Sequence, residues 1–184
     1  DSPVYVDLIA KFLRGELGGI DEVHPYLIAL LFAGDRGDAA NMINEWLKSG
    51  FVVILDRYLY SNIAFQCAKI KDKSKSAELR DWIFEAEYGH FAIPRPDINL
   101  FLDVPLSFVD SKLKAAREGD DREYLKGARD IHEESIHFQE NVRAVYIAEC
   151  NRGEGLQRVD CSSEDGTMLP PDRIFSRIKE KLVI

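Results

Sequence analysis

Phe51-Val-Val-Ile-Leu-Asp-Arg-Tyr58 is the stretch on which the reading of this chain turns. Five apolar residues in a row predict a strand buried on both faces of a parallel sheet. The run stops at Asp56 and Arg57, where open α/β sheets place their ligands, beyond the carboxyl ends of the strands. A guanidinium there can grip a phosphate bidentately, and the neighbouring carboxylate can orient it or contact a metal. A strand-capping ion pair is the plainer alternative.

The residues that follow extend the pattern. Ser61-Asn62-Ile63-Ala64-Phe65-Gln66 predicts the start of a helix, with Ser61 as its cap. Asn62 and Gln66 are four apart and share a helix face, as do Ser61 and Phe65. Two amides near an aromatic ring can read the edge of a nucleobase; an ordinary polar helix face is the alternative.

Further out, apolar periodicity predicts helices over Val4–Leu13, His24–Asp35, Asn41–Lys48, Glu78–Tyr88, Leu106–Glu118 and Asp172–Leu182. Asp130 with Glu133 resembles a capping box opening another helix, with Phe138, Val142, Val145 and Tyr146 as its stripe. Lys69–Lys75, with four lysines, reads as a solvated loop. Ile98–Val104 and Leu156–Cys161 read as two more strands, the first ending in Asp103. Strands separated by helices imply βαβ units and hence an α/β fold with a parallel sheet flanked by helices.

The bulk numbers narrow the partners. The 184 residues are 46% hydrophobic and 30% charged, ordinary for one globular domain with a proper core. A formal net charge of -8 argues against a nucleic-acid polymer or an anionic membrane as partner, yet leaves room for a small phosphorylated ligand held by a local basic cluster. No apolar stretch has membrane-spanning length. Cys67, Cys150 and Cys161 are scattered and in no metal spacing, which suits a reducing cytoplasm. His132-Glu133-Glu134-Ser135-Ile136-His137 places its histidines five apart, so they diverge around a helix and do not form a zinc pair.

Three segments together resemble the thymidylate kinase family of P-loop nucleoside-monophosphate kinases. They are Leu30-Leu-Phe-Ala-Gly-Asp-Arg36, Asp56-Arg-Tyr-Leu-Tyr-Ser-Asn-Ile-Ala-Phe-Gln66 and Asp121-Arg-Glu-Tyr-Leu-Lys-Gly-Ala-Arg-Asp-Ile-His-Glu133. The resemblance implies a three-layer P-loop NTPase-type fold with a basic lid over 117–130. It implies ATP and Mg2+ as cofactors, with dTMP phosphorylated to dTDP. Phe32 would stack on the base and Arg36 would bond to it. Arg57 would hold the acceptor phosphate, with Tyr58 beside it, and Asp56 would position Arg57 or the magnesium shell. Asn62 and Gln66 would approach the base edge, and Phe65 would lie beneath the sugar. Arg117, Arg122, Lys126 and Arg129 would neutralise charge on the transferred phosphoryl group, and Gly119 and Gly127 would let the lid close. A homodimer packed through helices, with Tyr26–Leu31 as a candidate face, is part of the same implication.

One departure stands out. No Gly-x-x-x-x-Gly-Lys-Ser/Thr occurs in residues 1–184, so no ATP-phosphate cradle can be assigned. The expectation is a single domain over 1–184 whose first strand, phosphate-binding loop, first helix and second strand are missing from the sequence. A kinase for another monophosphate or a deoxynucleoside shares most of these features. A non-catalytic nucleotide-binding relative would share them without turnover.

Overall fold

The computed structural model describes residues 3–114 and 136–182. Arg117, Gly119, Arg122, Lys126, Gly127, Arg129, Asp130 and the His132-Glu133 pair lie outside the described residues. So does the 117–130 lid.

Helix α1 covers Pro3–Leu13 and packs against α2, Pro25–Lys48. Pro25 opens α2 at a position where its missing N–H costs nothing. The two helices expected over 24–35 and 41–48 are one continuous helix. Gly34 and Gly37 do not interrupt it, because each supplies a notch filled by a neighbour, Tyr5 at Gly34 and Phe91 at Gly37. Helix α3 (Leu59–Cys67) lies at the centre of the molecule, with eight of its nine residues buried. Helix α4 (Lys73–Phe84) begins inside the lysine-rich stretch expected to be a loop. Asp72 caps it by accepting from the backbone N–H of Ser74 and Lys75. A π-helical turn, Glu85–His90, follows without a break.

Strand β1 (Asn99–Asp103) pairs in parallel with β2 (Leu156–Asp160), Asn99 opposite Leu156 and Asp103 opposite Asp160. Between them come α5 (Leu106–Lys114) and α6, described from Ile136 to Arg152; α7 (Pro171–Lys181) closes the chain. The main core joins Leu59, Ile63 and Cys67 of α3 to Leu79 and Ile83 of α4, Ala29 and Ala40 of α2, and Leu156 of β2. Val159, Cys161 and Ile174 form a second cluster between β2 and α7. The observed architecture is α/β with a parallel sheet, as expected. Among the described residues, no helix is long and apolar enough to cross a membrane.

Phe51–Leu55 corrects the strand expected there. The segment runs without ladder bonds, and Val52 and Ile54 are 88% and 89% exposed. A strand needs a hydrogen-bonding neighbour, and β1 and β2 pair only with each other among the described residues. The apolar run therefore keeps its composition without the burial that composition implied.

Asp103, at the end of β1, is held by two arginines. Arg143 grips it through Nε (2.5 Å) and Nη2 (2.9 Å), and Arg158 Nε lies 2.7 Å from Oδ2. The carboxylate is almost wholly buried, so removing its charge leaves two guanidinium groups facing one another. Both arginines reach water, which trims the cost. Asp103→Asn is expected to lower the unfolding free energy by about 2–3 kcal/mol in urea titration. A change under about 0.5 kcal/mol would rule out this role for the cluster.

Buried hydroxyls and thiols add a pH dependence of one sign. Burial pushes the Cys67 thiol up to about 11 and the Tyr60 hydroxyl up to about 12. It moves Tyr58, Tyr88 and Tyr146 upward as well. The unfolded chain releases these protons from about pH 8.5 for Cys and about pH 10 for Tyr. The native state retains them, so stability is full below about pH 8.5 and falls as pH rises toward 12. The urea midpoint is expected to be lower at about pH 10.5 than at about pH 8, and an equal or higher midpoint contradicts it.

Candidate active site

Arg57 is the hinge of the site. It sits at φ 68°, in the left-handed region that a residue with a Cβ seldom adopts. Such a conformation costs about 1–3 kcal/mol and persists only where the surroundings over-determine it. The twist turns the chain from the extended 51–55 segment into α3 and lays the Arg57 guanidinium over the Phe65 ring, 4.9 Å from its centroid. Phe65 is fixed from below by Ala64 and Val142, and edge-on by Phe138 at 6.1 Å. Arg57 therefore stands on an aromatic base with its charge open to solvent, as a phosphate-binding group requires. Asp56 precedes it and is exposed.

The start of α3 is made differently from the expectation. Tyr58, not Ser61, occupies the cap position, and its carbonyl accepts from Ser61 N–H at 2.9 Å. Ser61 lies inside the helix, where its side chain hydrogen-bonds the Tyr146 hydroxyl of α6. Tyr146 in turn stacks on Phe101 of β1, with centroids 4.4 Å apart and planes within 5°. The Tyr58 hydroxyl donates to the Pro94 carbonyl at 3.0 Å, and the Arg36 guanidinium lies 6.0 Å from the Tyr58 ring centroid.

The Asn62 amide of α3 meets a buried carboxylate. Glu87, fully buried in the π-helical turn, accepts from Arg36 Nε at 2.5 Å and from Nη2 at 2.6 Å. Its Oε1 also accepts from Asn62 Nδ2 at 2.9 Å, and the same Nδ2 donates to the Ala29 carbonyl at 3.0 Å. Asn62 Oδ1 and both amide atoms of Gln66 are buried with no hydrogen-bond partner among the described residues. Unsatisfied buried amide atoms cost about 1–3 kcal/mol each, so such groups are as a rule paired by protein, water or ligand.

The structure thus brings together Arg57 with Phe65, and Arg36 with Tyr58 and Asn62. Gln66 follows Asn62 one helical turn on. Phe32 packs on Phe12, Leu13 and Ile28 between α1 and α2, one turn before Arg36, and keeps part of its surface open. Glu87 is the site residue that sequence reasoning missed. It is 51 positions from Arg36 and sits beside Glu85 in an ordinary acidic helical stretch, so no local pattern marks it. Its only signal is its insertion between Ala86 and Tyr88, a charge in a mostly apolar surround. A separate groove of about 300 Å3, lined by Arg80, Phe84, Tyr88, Arg95 and Glu154, includes none of the expected site residues.

Asp56 is suited to a magnesium shell. Mg2+ in phosphoryl-transfer sites takes one or two carboxylates and otherwise water and nucleotide phosphates. An exposed carboxylate next to an exposed arginine able to hold a phosphate fits that demand. Among the described residues, no group of three or more His, Cys, Asp or Glu side chains is placed to hold a metal ion.

Comparison with known proteins identifies the family. The family model described as thymidylate kinase matches residues 7–167. The thymidylate kinase of Mycobacterium tuberculosis is 29% identical over 175 residues, covering 92% of this chain and 79% of that one. The thymidylate kinase of Leifsonia xyli subsp. xyli is 31% identical over 182 residues, covering 98% of this chain and 77% of that one. Among solved structures, the thymidylate kinase of Candida albicans superposes with a TM-score of 0.69 at 22% identity, covering 98% of this chain and 75% of that one, which shows the shared P-loop fold. With its family match over most of its length, this chain belongs to the thymidylate kinase family.

Proposed function

We propose that this protein phosphorylates dTMP to dTDP with ATP, and that the α2–α3 face just described is its acceptor site. The reading makes it a phosphotransferase of nucleotide biosynthesis. The observation that carries it is Arg57, held in a strained left-handed turn on the Phe65 ring, beside a buried amide and guanidinium group suited to a base edge.

In this reading an oxygen of the acceptor phosphate attacks the γ-phosphorus in line. The bond from that phosphorus to the β–γ bridging oxygen breaks, and ADP leaves with the electron pair. The protein's task is positioning and charge neutralisation, since the transferred group needs no covalent intermediate. Arg57 anchors the acceptor phosphate, and Phe65 supports both Arg57 and the sugar. Arg122, Lys126 and Arg129 are proposed to neutralise charge on the transferred group. Mg2+, with Asp56 in its shell, would offset the charge of the nucleotide phosphates.

The protein is further proposed to act in the cytoplasm as a homodimer. Leu27, Leu30, Met42, Trp46 and Leu47 are exposed apolar residues along α2, overlapping the Tyr26–Leu31 face expected to pair. Sedimentation equilibrium is expected to give twice the chain mass, with Leu27→Glu shifting the population to monomer. A monomer at all concentrations rules the dimer out.

Activity is tested by ADP release with a panel of nucleoside monophosphates. The purified protein is expected to favour dTMP over all others. Arg57→Ala is expected to lower kcat/KM for dTMP by about 100-fold or more with an unchanged circular dichroism spectrum, because Arg57 is exposed and supports no core. Unchanged kinetics would remove Arg57 from the site, and preference for another acceptor would overturn the substrate.

A further inference from the structure

We propose that Glu87 is a specificity-determining positioning residue: it sets the hydrogen-bond polarity with which Asn62 and Arg36 read the acceptor base. The inference rests on the acceptor-site reading above and adds to it a residue and a rule.

The argument begins with the Asn62 carboxamide. Its nitrogen faces two acceptors, the Ala29 carbonyl at 3.0 Å and Glu87 Oε1 at 2.9 Å. Flipping the amide would set its oxygen against both of them, so the orientation is forced. Both N–H groups are thereby spent inside the protein. What remains is Oδ1, a buried acceptor with no partner among the described residues.

Arg36 is constrained by the same carboxylate. It donates Nε to Oε2 and Nη2 to Oε1, which locks the guanidinium plane and leaves Nη1 outside the fork. Because Asn62 and Arg36 meet on one oxygen, Oε1, the leftover groups belong to one neighbourhood. One is an acceptor and the other a donor. An imide edge, with an N–H beside a carbonyl, satisfies both; this is the edge of thymine or uracil. Cytosine presents the reverse, an acceptor N3 beside an exocyclic amine, and would set like against like.

Glu87 is equipped for such a role. It is 0% exposed, so its position is fixed by packing. It lies in a π-helical turn, a local widening that is rare and frequent at functional sites. Three hydrogen bonds from two other helices converge on it, and none comes from its own turn. A neutral, isosteric glutamine cannot reproduce this. Its one oxygen can serve Asn62 or the Arg36 fork, and its NH2 then confronts a donor.

The test uses the full protein with ADP release and direct binding. For the wild type, dTMP is expected to be preferred over dCMP and over 3-methyl-dTMP by about 100-fold or more, because a buried acceptor is left unpaired by either analogue. Glu87→Gln is expected to cut the dTMP-to-dCMP ratio of kcat/KM about tenfold or more, with KM for ATP unchanged. In an Asn62→Ala background the same substitution is expected to change the ratio less, since Glu87 then acts through Arg36 alone. Equal losses for dTMP and dCMP would overturn the proposal, as would a ratio effect undiminished without Asn62. Should Glu87→Gln not fold, the wild-type comparison decides: equal binding of dTMP, dCMP and 3-methyl-dTMP overturns it. No dTMP binding at all would overturn the acceptor-site reading, and this inference with it.

Discussion

A single buried carboxylate organises the molecule around α3. Glu87 ties α2, through Arg36, to α3, through Asn62, while its own backbone belongs to the turn that ends α4. Burying a charge costs several kcal/mol, and only good geometry with full hydrogen bonding offsets it. That condition is met here by a bidentate fork at 2.5 and 2.6 Å and an amide at 2.9 Å. Such an arrangement contributes little net stability compared with apolar packing, which the Leu59, Ile63, Leu79 and Ile83 core already supplies. What it adds is definition. Three elements that could slide on apolar contacts alone are held at one register, and the Asn62 amide of α3 acquires one orientation.

Much of the fold was legible because local pattern and tertiary environment agreed. The 99–103 and 156–160 strands, each ending in Asp, pair in parallel, and the expected bounds differ from the observed ones by no more than one residue at either end. Helices α1 and α7 carry clear apolar stripes. Legibility failed where the deciding contact is non-local. The gap expected between 35 and 41 is helix, and Tyr5 and Phe91 fill the space beside Gly34 and Gly37, partners that nothing within the helix announces. The 51–55 run shows the converse: its composition says strand, while strand formation depends on a neighbour that composition cannot specify.

The site divides along the same line. Arg57, Asn62, Phe65 and Gln66 were visible because they fall in one short segment with a turn at its head. Their mutual placement was visible only in part. Helical spacing put Asn62 and Gln66 on one face, but it could not foretell that Asn62 spends both N–H groups on Ala29 and Glu87. Nor could it foretell that Tyr58 takes the cap position, freeing Ser61 to bond Tyr146. Long-range polar contacts between single residues leave no periodic trace, which is why Glu87 was missed while its partner Arg36 was found.

The two ends of the proposed acceptor site differ in their physics. The base end is dry, its Asn62 amide fixed by buried hydrogen bonds before any ligand arrives, and preorganisation of this kind lowers the entropy lost on binding. The phosphate end is wet, with Arg57 exposed. A unit charge pair at 4 Å is worth about 1 kcal/mol in bulk water and about 4 kcal/mol at an effective dielectric near 20. An open Arg57 therefore holds a phosphate loosely until water is displaced around it. Affinity gained at the dry end can be used to keep the acceptor in place while the wet end closes, which fits an enzyme that must bind one nucleotide and then exclude water before transfer. The strained backbone at Arg57 suits that order of events: its guanidinium is already held over the Phe65 ring, so displacing water would not require the arginine to turn.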